Sequence, residues 1–318
     1  MGSSRILIIG GTGYIGHHIT KASLAQGHPT FLLVRESTSS NPDKAELLQS
    51  FKSLGATIVH GSIEDYANLV EALKKVDVVI SAINTELTAA QFNLIKAIKE
   101  VGTIKRFLPS EFGMDVDRQQ AMEPIRSIYD LRVKLRRTIE AEGIPYTYVA
   151  ANCFAGFILP NLGQLGHTSP PRDKVTIYGD GNSKAVYVKE EDVGTFTIKS
   201  VDDPRALNKI LYMRLPANTL SSNELVALWE KKIGKTLEKK YLFEEEVVQL
   251  IEVILISSVN VADDAETPFP MKIFIAIFHT LYVKGSQTNF EIGPYGVEAS
   301  ELYPDVKYTT VDEYLNPY

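Results

Sequence analysis

A single cysteine, Cys153, stands in 318 residues, so no disulfide forms within the chain and a reducing compartment is expected. Positive charge is not in excess either. The 33 Lys and Arg against 39 Asp and Glu leave a formal net charge of -6, which argues against the basic surface of a general nucleic-acid binder. No apolar run approaches the length of a membrane span. The nearest, Val253 to Val261, is interrupted by Ser257, Ser258 and Asn260. No secretory signal is read ahead of the first strand, and a soluble cytoplasmic protein is expected. His17, His18, His28, His60 and His167 are scattered without metal-ligand spacing, so no metal is expected. Repeats and low-complexity tracts are missing too. What remains is ordinary globular composition, 44% hydrophobic and 23% charged, in a chain that suits a nucleotide-binding domain plus a second lobe.

The N-terminal segment carries the strongest signal. Ile6-Leu7-Ile8-Ile9 reads as a buried parallel strand, His17 to Gln26 as a helix, and Gly10-Gly11-Thr12-Gly13-Tyr14-Ile15-Gly16 as the turn between them. Gly10, Gly13 and Gly16 let the backbone approach a pyrophosphate seated on the positive end of the helix. The next strand, Pro29 to Val34, ends in Arg35, where an NAD-binding fold would carry a carboxylate for the ribose 2′-hydroxyl. A guanidinium instead pairs with a 2′-phosphate through two parallel hydrogen bonds. Lys44 offers a second positive charge from the stretch that follows. NADPH is the expected cofactor.

Up to about residue 155 strands and helices alternate. Strands are expected at Ile6–Ile9, Thr30–Val34, Thr57–His60, Val76–Ser81, Arg106–Pro109 and Tyr146–Ala150, with helices such as Leu69–Lys74, Ala89–Val101 and Asp130–Glu142 between them. That alternation predicts an α/β fold of Rossmann type, a doubly wound parallel sheet with helices on both faces. The region of Asp65, after the third strand, is placed to line the adenine. Beyond 155 the rhythm breaks. Gly179-Asp180-Gly181-Asn182 reads as a hairpin turn, short strands follow at Ala185–Val188 and Ile210–Arg214, and Leu220 to Leu225 offers a polar-capped helix start. The expected organisation is an NADPH-binding domain over 1–155 and a smaller C-terminal α/β substrate lobe over 156–318, closing a cleft where substrate meets nicotinamide.

GGTGYIG, Pro109-Ser110-Glu111-Phe112-Gly113, Gly143 to Val149, Asn152-Cys153-Phe154-Ala155-Gly156 and the C-terminal Val297-Glu298 and Tyr303 to Tyr308 together resemble the plant isoflavone reductase-like proteins. These are atypical short-chain dehydrogenases with an NmrA-like fold, and include phenylcoumaran benzylic ether reductases, pinoresinol–lariciresinol reductases and eugenol synthases. The resemblance covers nearly the whole chain. It implies that Thr12 to Ile15, Arg35 and Lys44 bind NADPH, and that Ser110, Glu111, Phe112, Asn152, Cys153 and Phe154 flank the cofactor, with Phe154 near the nicotinamide. It also implies a small aromatic substrate of phenylpropanoid, lignan or isoflavonoid type, and a pocket role for His279 as a hydrogen-bonding partner of that substrate. The sequence leaves self-association as a homodimer open. Cys153, with no histidine motif beside it, reads as packing.

Two departures stand out. The family's proton-handling lysine, in the helix after the Ser-Glu-Phe-Gly motif, falls at Arg132. A guanidinium stays charged and does not shuttle a proton, yet its planar fork holds an oxyanion. Lys134, two residues on, lies about 200° around a helix and would face away if Arg132 faces the cleft; a shifted helical register would exchange the two and make Lys134 the catalytic residue. Residues 253–265 look like an insertion, apolar first and acidic last, against the family pattern. The reading is therefore an NADPH-dependent reductase with Arg132 at the lysine position. Its alternative is an NmrA-like protein that binds NADPH without reducing, either a sensor or a catalyst of rearrangement or cyclisation.

Overall fold

The computed structural model describes residues 3–118, 120–258 and 271–318. Five strands, β1 (Ile6–Ile9), β2 (Thr30–Val34), β3 (Thr57–His60), β4 (Val78–Ser81) and β5 (Arg106–Leu108), form one sheet in the order β3-β2-β1-β4-β5. Every pairing in it is parallel. β1 and β4 are buried along their whole length, which is why they read as unbroken apolar runs rather than as alternating ones. Helices pack on both faces. One layer joins β1 and β2 to the Gly16–Ala25 and Pro42–Ser53 helices through Ile19, Leu48 and Phe51. The opposite layer sets Leu69, Leu94, Leu135 and Ile139 against Leu7 and Val79.

The sheet does not stop at β5. Phe107 donates its amide to Pro145 O at 2.8 Å and bridges to Tyr146, next to β6 (Thr147–Ala150). From β6 a parallel trio continues through β10 (Lys209–Tyr212) to β13 (Gly296–Glu298). Residues well beyond 155 therefore return to the first sheet, so the two halves of the chain share one framework. The rest of the second half builds a small layered unit. β7 (Cys153–Phe154), β9 (Lys184–Val188) and β11 (Thr219–Ser221) make one short sheet, and β8 (Lys174–Tyr178) pairs with β12 (Glu238–Leu242). The Ser222–Ile233 helix, started by a capping box of Ser221 and Glu224, packs Trp229 and Leu225 beneath them.

The structure corrects several expectations. Gly179 to Asn182 does turn, with Gly179 and Gly181 at positive φ, but it is no hairpin. β8 pairs parallel with β12, while β9 pairs parallel with β7 and antiparallel with β11, because Gly179 N donates to Leu242 O and Asn223 ties down Asp180 and Asn182. The helix expected from Asp130 begins at Ile125, straight after Pro124, whose ring has no N–H to leave unsatisfied at a helix start. The helix of Gln91–Val101 is preceded by a tighter helical turn over Thr85–Ala90. Of the apparent insertion, 253–258 continue the Glu244–Ser258 helix, and 259–265 lie outside the described residues.

One cluster fixes the Ile125–Ala141 helix to the segment after β5. Arg136, fully buried, donates to Glu111 at 2.8 and 2.5 Å, to Asp115 at 2.7 Å and to Asp117 at 2.9 Å. Burial alone would weaken its protonation, but the Glu111, Asp115 and Asp117 carboxylates outweigh that and hold it firmly charged. Tyr212, at the end of β10, donates its hydroxyl to Asp115 at 2.6 Å. Arg136→Met leaves buried carboxylates without their partner, and the expected loss is about 3–5 kcal/mol of stability, read from chemical denaturation. A change below about 1 kcal/mol would show that the cluster does not hold the helix.

A second buried carboxyl gives a pH signature. Asp192 accepts the Thr309 amide at 2.8 Å, and burial pushes its pKa up to about 6 from an ordinary 3.8. The folded state thus prefers the protonated form. The stability this gives is complete below about 3.8 and is lost as pH rises through about 6. Asp192→Asn, which has no charge to bury, is expected to unfold at a higher denaturant concentration than the parent above that range, with the difference shrinking toward acid pH. An advantage for Asn that does not depend on pH would rule out this assignment.

Candidate functional site

The glycine turn sits where the strand order reverses between β1 and β4, the crevice in which doubly wound sheets take up dinucleotides. Gly10 has a φ of +83°, and a Cβ there would collide with the carbonyl of Ala82 just past β4. A Cβ on Gly16 would collide with the carbonyl of Gly10. Close packing against β4 and within the turn therefore dictates both glycines. The result is a bare backbone rim. Among the described residues, the amides of Thr12, Tyr14 and Ile15 have no protein acceptor, and the Gly16–Ala25 helix starts without a side-chain cap. Unsatisfied amides at a helix start are the standard cradle for a phosphate.

A groove of about 270 Å³ runs beside this rim, lined by Gly10 to Gly13, Arg35, Thr38, Lys44, Ser62, Glu64, Asn84 and their neighbours. Arg35 follows β2 directly and makes no ion pair among the described residues. Lys44 reaches over the groove to donate from Nζ to Thr12 O at 2.5 Å. A free guanidinium and an ammonium at the far end of a phosphate cradle fit a second phosphate group. Thr38, Ser62, Glu64 and Asn84 escaped the sequence reading. Glu64 and Asn84 follow β3 and β4, and that position at the ends of parallel strands was the only signal that marked them. Asp65, expected at the adenine, instead caps the Tyr66–Leu73 helix by accepting the Asn68 amide at 3.2 Å.

Tyr14 and Ile15 part company. Ile15 is buried in the core, whereas Tyr14 is half exposed and stacks on Phe157 with ring centroids 4.4 Å apart. The Tyr14 hydroxyl donates to Glu190, and Phe154 lies 5.7 Å away across the same aromatic group. Burial and the Glu190 carboxylate hold the Tyr14 hydroxyl far above its ordinary pKa.

Two segments approach from the other side. Ser110 donates its amide to Gln91 Oε1 at 2.8 Å and its hydroxyl to Ile83 O at 2.7 Å, which ties the post-β5 segment to the exit of β4. Asn152, at positive φ, donates its amide to Gly113 O at 3.0 Å and its side chain to Met213 O at 3.1 Å. These bonds stitch 110–113 to 152–154. The side chains of Glu111, Phe112, Asn152 and Cys153 turn into the protein, so their part is to shape this wall. Glu111 is taken up by Arg136, and Phe112 joins the core. The Cys153 thiol accepts from Gln287 at 3.3 Å and is pushed up to about 12 by burial, which makes it inert.

Arg132 stands on this wall. Its Nη2 donates to Thr85 Oγ1 at 3.3 Å, its Nη1 lies 4.0 Å from where a Gly113 Cβ would be, and its Nε is buried without a partner. Thr85 is adjacent to Asn84, which lines the groove. Lys134 projects elsewhere, exposed, with Nζ 6.0 Å from the centroid of the Phe92 ring. His279 is buried and its Nε2 meets Glu244 Oε1 at 3.1 Å, while Glu244 is also held by Lys284 at 2.5 Å. The structure thus gives His279 a protein partner at Nε2 and leaves its buried Nδ1 without one; His279 is not part of the groove lining.

The model of the NmrA-like family matches residues 2–315. Over 318 residues the chain is 69% identical to a phenylcoumaran benzylic ether reductase of Ginkgo biloba, with all of both chains covered. It belongs to the NmrA-like family, among the isoflavone reductase-like proteins. This NmrA-like chain is also 59% identical to a eugenol synthase of Petunia hybrida, with 98% of each covered. It superposes on a crystal structure of isoflavone reductase with a TM-score of 0.91 at 50% identity, covering 99% of each chain. Its TM-score to AtPrR2 with NADP+ and (+)pinoresinol is 0.90 at 42% identity, over 100% of this chain and 99% of the other.

Arg35→Asp in this NmrA-like protein places a carboxylate where a phosphate would bind. NADPH affinity is expected to fall by about 10–100-fold, the worth of one charged hydrogen-bond pair. NADH affinity, measured alongside by calorimetry, should change far less. Equal losses for the two dinucleotides would remove Arg35 from the 2′-phosphate.

Proposed function

We propose that this chain reduces a small aromatic substrate of the phenylpropanoid or lignan type, with hydride from NADPH and with Arg132 holding the oxygen on which negative charge develops. NADPH-dependent oxidoreduction rests on close relatives named as reductases. The substrate class comes from relatives named as phenylcoumaran benzylic ether reductases and from a neighbour solved with (+)pinoresinol. The observation that carries the catalytic part is the state of Arg132. One guanidinium, half-buried and with a sealed, unpaired Nε, lies between Thr85 and Gly113, and Thr85 follows Asn84 of the groove lining.

The residues suited to NADPH are the glycine rim and helix start for the pyrophosphate, with Arg35 and Lys44 for the ribose phosphate. When bound, NADPH supplies a hydride. Everything else falls to the chain. The aromatic group of Tyr14, Phe154 and Phe157 offers flat apolar surface beside the rim, on which an aromatic ring can stack. Arg132 offers a permanent charge to an oxyanion or phenolate, in a setting where water is partly excluded and that charge counts for more. It does not accept or release a proton at any working pH.

Turnover of NADPH against a panel of phenylpropanoid ethers, lignans and isoflavonoids, with product chromatography, tests the reading. Tight NADPH binding with no turnover across the panel would favour a non-reducing protein of the same family. Given turnover, Arg132→Leu is expected to lower kcat by about 10²–10³-fold with NADPH affinity unchanged. Arg132→Lys should keep much of the activity but make it fall at alkaline pH as the amine loses its charge. A wild-type kcat in Arg132→Leu would take Arg132 out of the chemistry.

A further inference from the structure

Hydride transfer that generates an oxyanion needs a proton, and Arg132 does not give one up. The other acid–base groups near the wall are committed among the described residues. Glu111 is locked to Arg136, the Cys153 thiol is sealed against Gln287, His279 holds Glu244 with Nε2 and has its Nδ1 sealed in the interior, and Lys134 faces away. One turn back along the Ile125–Ala141 helix stands Tyr129, three residues before Arg132 and on the same face.

Resting on the reductase reading above, we propose that Tyr129 is the proton donor of this site and that Arg132 stabilises the phenolate left behind. Tyr129 belongs to the buried cluster that also holds Met114, Ile125 and Cys153, and 7% of the residue remains exposed. Its hydroxyl has no hydrogen-bond partner among the described residues, and it is not one of the sealed, unpaired polar atoms, as Arg132 Nε is. An O–H that is neither used nor sealed is free to meet a ligand. Of the groups that face it, burial and Cys153, from β7, oppose ionisation, and Arg132, from its own helix, favours it. Burial dominates and pushes the phenol up to about 12, which keeps it protonated at neutral pH. Gly113 beneath Arg132 and Cys153 beside Tyr129 belong to the two stitched segments that form the wall, so the Tyr129–Arg132 pair stands over that wall.

The step balances. An electrophilic carbon of the substrate receives the hydride with its two electrons. The displaced π pair collects on a conjugated oxygen, the Tyr129 O–H bond breaks, and a new O–H bond forms on that oxygen. The phenolate rests beside Arg132 until a solvent proton restores it. NADPH, one proton and the substrate are consumed; NADP+ and the reduced substrate are released.

Two arms separate this proposal from the function it rests on. In the protein without cofactor, trifluorotyrosine, whose phenol ionises several pH units below that of tyrosine, replaces Tyr129, and its titration is followed by ¹⁹F NMR within the pH range of the folded state. Arg132→Leu is expected to move that titration upward by about one pH unit or more, the effect of losing an adjacent cation. An unmoved titration overturns the pairing whatever the substrate is. In turnover, Tyr129→Phe is expected to lower kcat by about 10²-fold or more, with NADPH affinity within about twofold of wild type as the sign of an intact fold. Replacing Tyr129 with the far more acidic trifluorotyrosine should shift the alkaline limb of the kcat profile to lower pH, into the range where the enzyme is folded. Unchanged kcat in Tyr129→Phe, or an unshifted limb with trifluorotyrosine, overturns the donor role. If wild type turns over nothing in the panel, the reductase reading fails, and the donor role with it, while the NMR arm still decides the pairing.

Discussion

A single buried guanidinium holds the two halves of the site in register. Arg136 has no exposed surface and binds Glu111, Asp115 and Asp117 together. Desolvating one such ion is costly, and the cost is offset only when every donor finds a charged acceptor at good geometry. Here each of the three guanidinium nitrogens meets a carboxylate, through four hydrogen bonds, and outer cations complete the balance. Arg118 lies 3.7 Å from Asp115 and Arg137 lies 2.6 Å from Asp117, so three carboxylates face three guanidinium groups. The cluster spans three elements, since Tyr212 at the end of β10 also bonds Asp115. The post-β5 segment, the Ile125–Ala141 helix and a strand from the second half of the chain are thereby set at fixed distances from one another. Arg132 is one turn from Arg136 on the same face. Its place over Gly113 follows from where Arg136 is anchored.

The cofactor half of the site depends on a different constraint, the steric one. The turn after β1 has to pass so close to β4 and to itself that Cβ atoms at Gly10 and Gly16 have no room. This compression leaves the amides at the helix start unspent, and the groove with its two cations lies beside them. Close packing sets the first half and buried charge the second. The stitches from Asn152 to Gly113 and from Ser110 to Ile83 join the two.

How much of this could be read from the sequence follows from the range of each interaction. The glycine turn, the strand run behind it and Arg35 are neighbours in the chain, and local spacing marks them fully. Alternation of strands and helices likewise marked the parallel sheet. Strand pairing across 60 residues left no such trace: nothing local in Lys209–Tyr212 says that it lies between β6 and β13. The same gap explains the turn at 179–182, whose residues favour a hairpin while both flanking strands bond elsewhere. Glu111 was expected beside the cofactor from its motif; the structure pairs it with Arg136, 25 positions away. His279 was marked by the pattern around it, but Glu244, which occupies its Nε2, is 35 positions distant.

Placing a permanent cation where an amine is expected changes what the rest of the helix has to do. An amine can hold charge and pass a proton, so one residue serves both needs. A guanidinium separates them, because its pKa lies too high for transfer at any pH the protein survives. Electrostatic stabilisation is then constant with pH, and proton supply moves to whatever neutral O–H lies within reach. The fixed charge that does not transfer a proton lowers the cost of ionising that neighbour. Such a division favours a donor on the same helix face, where spacing is set by backbone geometry and not by loop position. Tyr129 occupies that place, and its hydroxyl is unpartnered among the described residues.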